Sequence, residues 1–201
     1  MTHIYANLIY RLSINGGLDE KVVLILVFTD VSQLFPEFMN DEHKGRKVTF
    51  IPTAANPEKV RFFVESDRKA LQSIGLIVDE TDIANCSKEE VSVKLNENDC
   101  IFICGGNTFY LLQELKRKEI SSLIVQHINN GKPYIGSSAG SIILSKNIGY
   151  VSRMDSPKKA PELTDYDALG VTDFYILPHY TNAPFKKVAQ KIFEEYESKL
   201  D

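Results

Sequence analysis

The sequence is poor in cysteine, has no excess of basic charge and lacks long apolar runs, and each shortage closes off a class of protein. Three cysteines, Cys86, Cys100 and Cys104, cannot all pair, and they do not carry the paired spacing of a zinc site. They point to a reducing cytoplasm and not to a disulfide framework. Lysine and arginine number 23 against 27 aspartates and glutamates, a formal net charge of −4. The basic residues are scattered among acids, as on a solvated surface, whereas a nucleic-acid partner usually requires a basic face. No stretch approaches the roughly 18 apolar residues that a membrane-spanning helix needs. The first twenty residues are broken by Asn7, Arg11 and Asn15, which does not suit a secretory signal. The four histidines form no cluster with carboxylates at metal-ligand spacing. The expectation is a cytoplasmic protein with no metal, no cofactor, no membrane partner and no nucleic-acid partner.

What is present suits one soluble domain. A chain of 201 residues with 43% hydrophobic and 25% charged residues can bury a sizeable core. After an irregular opening, apolar β-branched runs at 22–28, 48–51, 76–78, 101–104, 134–135 and 174–177 read as strands buried on both faces. Between them, helical patterns occupy 30–40, 57–74, 88–95 and 109–129, the last with a break near 118–121. A final helix covers 183–200, and the chain after Tyr150 is polar and loop-like through Thr164. Strands alternating with helices of this length predict an α/β domain with a mainly parallel sheet.

The chemistry collects where such sheets bind ligands, beyond the carboxyl ends of the strands. The run from Tyr134 to Leu144 places Gly136-Ser137-Ser138-Ala139-Gly140 between a short strand and an apolar helix start. That is the G-x-S-x-G turn in its required context. The tight turn leaves no room for a Cβ at Gly136 or Gly140 and raises Ser138 over the start of the next helix. The plainer reading of Ser138 is a helix cap. Serine needs a base within reach. Of His3, His43, His127 and His179, only His179, in Pro178-His179-Tyr180, lies at a strand end on this edge. For the orienting acid, Asp155 lies between serine and histidine in the chain, with Asp165 and Asp167 as competitors. Gly105 and Gly106, after the strand ending in Cys104, can bring backbone amides to a carbonyl oxygen together with the Ala139 amide. Asn107 and Thr108 either line the substrate or cap the next helix. Cys104 reads as a small buried apolar residue.

These motifs together carry a family resemblance. Cys104-Gly105-Gly106-Asn107-Thr108-Phe109, then Gly136-Ser137-Ser138-Ala139-Gly140, then Asp155-Ser156-Pro157, then Leu177-Pro178-His179-Tyr180-Thr181-Asn182 resemble peptidase E. That family comprises the α-aspartyl dipeptidases, serine relatives of the class I glutamine amidotransferase-like fold. The resemblance covers about residues 22–200. It implies a single-domain three-layer sandwich with helices on both faces of the sheet. It implies Ser138 as nucleophile, His179 as base, Asp155 as orienting acid, and the Gly106 and Ala139 amides as oxyanion hole. It also implies metal-free hydrolysis of dipeptides with an N-terminal aspartate. Residues 1–21 are expected to be an atypical leader and 22–201 the catalytic domain, expected to stop before the further β segment of family members. Where such members have an arginine for the acidic side chain, this chain has Lys186 and Lys187. Lys186 is therefore expected, with Asn107 and Thr108, to hold the substrate. The partner is a small peptide, and the protein is a monomer or homodimer. The alternatives are another serine acyl hydrolase (esterase, amidase or cyanophycinase-like) and an inactive binding protein.

Overall fold

The computed structural model describes residues 22–25, 32, 35–39, 42–180, 184–197 and 199. The expected leader and the expected strand residues 26–28 lie outside the described residues. Five strands are described: β1 (Val22–Ile25), β2 (Lys47–Ile51), β3 (Ile77–Glu80), β4 (Cys100–Ile103) and β5 (Tyr134–Ser137). They form one sheet in the order β1-β5-β4-β2-β3, with every pairing parallel.

The central strands are apolar on both sides because both sides are covered. Successive side chains point to opposite faces. Along β4, Ile101 and Ile103 join one core cluster, while Cys100 and Phe102 join the other. The first cluster receives α3 (Lys88–Glu97), α4 (Thr108–Arg117) and α5 (Ser121–Asn129) through Leu95, Leu112 and Ile124. The second receives α1 (Phe35–Phe38) and α2 (Phe62–Ser73) through Phe35, Val64 and Leu71. The result is a three-layer α/β sandwich.

The expected helical break falls between α4 and α5, where Glu119 takes a left-handed φ of 55°. Two short or late elements complete the chain: α6 (Ala139–Ile142) and α7 (Lys186–Tyr196). One expectation is corrected. Residues 174–177 are not a strand of the sheet, and Phe174 lies in a bend. Alternate carbonyls of this segment are taken by side chains, Phe174 O by the Thr172 hydroxyl at 2.9 Å and Ile176 O by the Tyr150 hydroxyl at 2.5 Å. A β-like sequence pattern cannot distinguish a ladder from a segment whose carbonyls are satisfied in this way.

The connection leaving β2 leads to α2 on one face, and that leaving β4 leads to α4 on the other. Two neighbouring parallel strands that send their chains to opposite faces open a crevice at their carboxyl ends. The elbow after β5 stands next to it.

Candidate active site

Within residues 133–145, Ser138 is the one position open to solvent; everything on either side is buried. It also carries strain, with φ 48° and ψ −103°, a conformation that L-residues seldom adopt. Such a residue costs about 1–3 kcal/mol and persists only where its surroundings over-determine it. They do so here. A Cβ on Gly136 would lie 2.4 Å from Gly140 O, and one on Gly140 would lie 2.3 Å from Ile103 O. The Tyr134 hydroxyl donates to Gly140 O and the Ser141 hydroxyl to Gly136 O, both at 2.5 Å. Ser138 O accepts from the Ser141 and Ile142 amides at 2.8 and 3.0 Å.

His179 comes to the same spot from the turn that follows residues 174–177, with a left-handed φ of 66°. Its Nε2 lies 3.2 Å from Ser138 Oγ, within hydrogen-bond reach. The imidazole packs against the Phe185 ring with centroids 4.9 Å apart. Burial lowers its pKa from 6.5 to about 4, so the ring is neutral at pH 7. A neutral ring protonated on Nδ1 presents an acceptor lone pair to the serine hydroxyl.

The glycine pair after β4 closes on the elbow. A Cβ on Gly105 would stand 3.3 Å from Ser138 Cβ. Gly106, at φ 140°, sits so close to the β2 loop that a Cβ would fall 2.2 Å from Ala54 O. The Asn107 amide donates to that same carbonyl at 2.8 Å. Among the described residues the Gly106 and Ala139 amides find no protein acceptor.

The expected acid is placed elsewhere. Asp155 is not hydrogen-bonded to His179; its Oδ2 accepts from the Thr108 amide at 2.8 Å and the Thr108 hydroxyl at 2.5 Å. Burial raises its pKa above the usual carboxylate range, with the two Thr108 donors pulling the other way. Position in the chain had put Asp155 between serine and histidine, but its loop folds over the start of α4. Asp165 pairs with Lys116 and accepts from the Asp167 amide, while Asp167 accepts from Asn147 at 2.9 Å. Among the described residues no carboxylate is hydrogen-bonded to the His179 ring.

Of the expected substrate residues, Asn107 and Thr108 are buried and committed to the protein itself. Asn107 caps α4 by accepting from the Tyr110 amide at 2.9 Å and donates to Ser156 O at 3.2 Å. Both residues start α4. Lys186 is exposed at the start of α7, next to Phe185. Cys104 is fully buried, and burial lifts its thiol pKa well above the ordinary value, which removes it as a nucleophile. Among the described residues no group of three or more His, Cys, Asp or Glu side chains is placed to hold a metal ion.

Sequence reasoning missed Phe185 and Tyr150. Nothing in the local pattern marks Phe185, 37% exposed, as the neighbour of the base. Tyr150 stands just before a stretch that reads as a loop, yet it is buried and bonds the segment that carries His179.

Comparison with known proteins follows the geometry. The family model described as peptidase family S51 matches residues 26–200. The chain is 55% identical over 180 residues to the uncharacterized peptidase Lmo0363 of Listeria monocytogenes, covering 90% of this chain and 87% of the relative. It is 29% identical over 172 residues to peptidase E of Nostoc sp., covering 83% and 68%. A Listeria monocytogenes protein assigned provisionally to peptidase E has a crystal structure that superposes with a TM-score of 0.85 at 53% identity, covering 87% of this chain and 86% of that one.

Proposed function

The chain belongs to peptidase family S51, and from that premise we propose a serine-type peptidase acting on small peptides through Ser138 and His179. The observation that carries this reading is the 3.2 Å approach of His179 Nε2 to Ser138 Oγ on a strained elbow. In the proposed reaction the Ser138 hydroxyl attacks the scissile carbonyl while His179 takes its proton. The carbonyl oxygen becomes an oxyanion and receives the Gly106 and Ala139 amides, with Gly105 holding the loop against the elbow. His179 then protonates the leaving amine, and water enters by the same route to release the acyl group from Ser138.

We further propose dipeptides with an N-terminal aspartate as the preferred class. A buried substrate carboxylate needs a positive partner, and Lys186 at the exposed start of α7 is the candidate. Lysine binds as a point charge without the bidentate fit of arginine, so the preference for Asp-X over Asn-X is moderate.

The test has two parts. Folded Ser138→Ala should lose hydrolysis by several orders of magnitude; near-full activity overturns the assignment. Comparing kcat/KM for Asp-Leu, Asn-Leu and a simple aryl ester in the native protein and in Lys186→Met tests the substrate. Equal values for the two dipeptides reject the aspartate preference, and turnover of the ester alone moves the protein to the esterases.

A further inference from the structure

Asp155 is a half-buried carboxylate with no place in the proposed proton transfer, yet it is bonded at the edge of the site. We propose that Asp155 is a positioning residue for the oxyanion loop, holding the Gly106 amide toward Ser138 by clamping the first turn of α4. This rests on the reading of Ser138 as nucleophile.

The geometry brackets the loop from two sides. On one side Gly106 lies against Ala54 O, and the Asn107 amide donates to that oxygen at 2.8 Å. On the other side Asp155-Ser156 take hold of the two residues that follow Gly106. Asp155 Oδ2 receives both Thr108 donors, at 2.8 and 2.5 Å, and Ser156 O receives the Asn107 side-chain amide at 3.2 Å. The two brackets are joined by an ion pair, Lys159 to Glu58 at 2.7 Å. Lys159 ends the short 3-10 turn just after Asp155, and Glu58 follows the turn Thr53–Ala55.

A clamp is needed because of what Gly106 is. At φ 140° the glycine has wide backbone freedom, and rotation of its peptide plane would turn the N–H away from the elbow. Fixing Asn107 and Thr108 on one side and Ala54 on the other removes that rotation. Oxyanion donors act through such preorganisation, and loss of one costs about 10²–10³ in kcat.

This role differs from that of a triad acid in a measurable way. Both Thr108 donors converge on one oxygen, so an amide oxygen can replace the carboxylate. An orienting acid tolerates no such change, and its replacement by amide costs about 10⁴ in kcat. The experiment measures kcat, KM and the pH profile for Asp155→Asn, Asp155→Ala, Thr108→Val and Thr108→Ser on a peptide the native protein cleaves. It adds the inhibition constant of a peptide aldehyde, whose tetrahedral adduct needs the oxyanion loop. Asp155→Ala should lose about 10²-fold in kcat, with KM within about threefold and the acid limb of the profile unmoved. Aldehyde affinity should fall in parallel with kcat. Thr108→Val should follow Asp155→Ala in direction. Asp155→Asn and Thr108→Ser, which keep the bonds, should retain activity within about tenfold of native. A fall of about 10⁴ in Asp155→Asn with a displaced acid limb overturns the proposal in favour of an orienting acid, and that outcome needs no folded alanine variant. Native kcat in a folded Asp155→Ala also overturns it. Full activity in Ser138→Ala is a separate failure, that of the nucleophile itself.

Discussion

Ser138 and His179 both sit in left-handed backbone conformations that side chains avoid, and their side chains approach to 3.2 Å. For His179 the consequence is a pH profile. From composition alone one expects activity to rise between about pH 6 and 8, along an ordinary imidazole. Burial lowers this one to about 4, and the neutral form is the one that can accept the serine proton. The acid limb of kcat/KM is therefore expected near pH 4 in the native protein. Phe185→Ala exposes the ring to water and should move the limb upward toward 6.5. A limb that stays in place in that variant would show that Phe185 does not desolvate the base. Gly140 is the second residue-scale test. An added Cβ has nowhere to go against Ile103 O, which is backbone and cannot swing aside. Gly140→Ala should cost about 1–3 kcal/mol of stability, read from denaturant unfolding, and abolish turnover because the elbow shifts.

At the scale of elements, α7 and the 174–177 segment dock on a turn that looked featureless. Gly149–Arg153 forms a 3-10 turn whose Tyr150 donates to Ile176 O, and whose Arg153 pairs with Glu195 of α7 at 2.8 Å. Tyr150 also meets Tyr175 and Tyr196 edge-on. Removing the hydroxyl in Tyr150→Phe leaves Ile176 O without this donor, at a cost of about 1–3 kcal/mol. It should lower kcat more than it raises KM, because His179 lies three residues along. An unchanged kcat would detach the turn from the site. This is also where the sequence was least legible. Sheet strands announce themselves by apolar runs, and the elbow by glycines that backbone contacts demand, so β2, β4, β5, Ser138 and His179 could all be read in advance. The partner of Asp155 could not, because chain order says nothing about which way a loop folds. Asn107 and Thr108 could be read as cap or as substrate residues, since a cap and a ligand contact use the same polar side chains.

For the molecule as a whole, one buried acid sets a pH dependence of stability. The core-facing stripe of α2 runs Val64, Asp67, Leu71, and Asp67 is 3% exposed. Burial lifts its carboxyl from 3.8 to about 7. From pH 4 to 7 the unfolded chain gives up this proton while the fold retains it, so the Asp67 contribution falls as pH rises and levels off above 7. The penalty at pH 8 is on the order of a few kcal/mol. Asp67→Asn should flatten that fall, so that its Tm, relative to native, is higher at pH 8 than at pH 4. A parallel pH dependence of Tm in the two proteins would remove Asp67 as the cause.

The contacts at Ala54, Ile103 and Gly140 make hydrolysis a clock for folding. Gly106 rests on the loop after β2, Gly140 on the last residue of β4, and Gly136 closes β5 against Gly140. The three strands lie far apart in the chain and pair only in parallel. Closing such nonlocal pairings is slow compared with forming helices. The serine should therefore become reactive late in refolding, after most of the helical signal has returned. Stopped-flow refolding, with a fluorophosphonate probe sampling the reactive serine over time, follows both events. Labelling that ran ahead of the last spectroscopic phase would mean that the elbow assembles before the sheet it stands on.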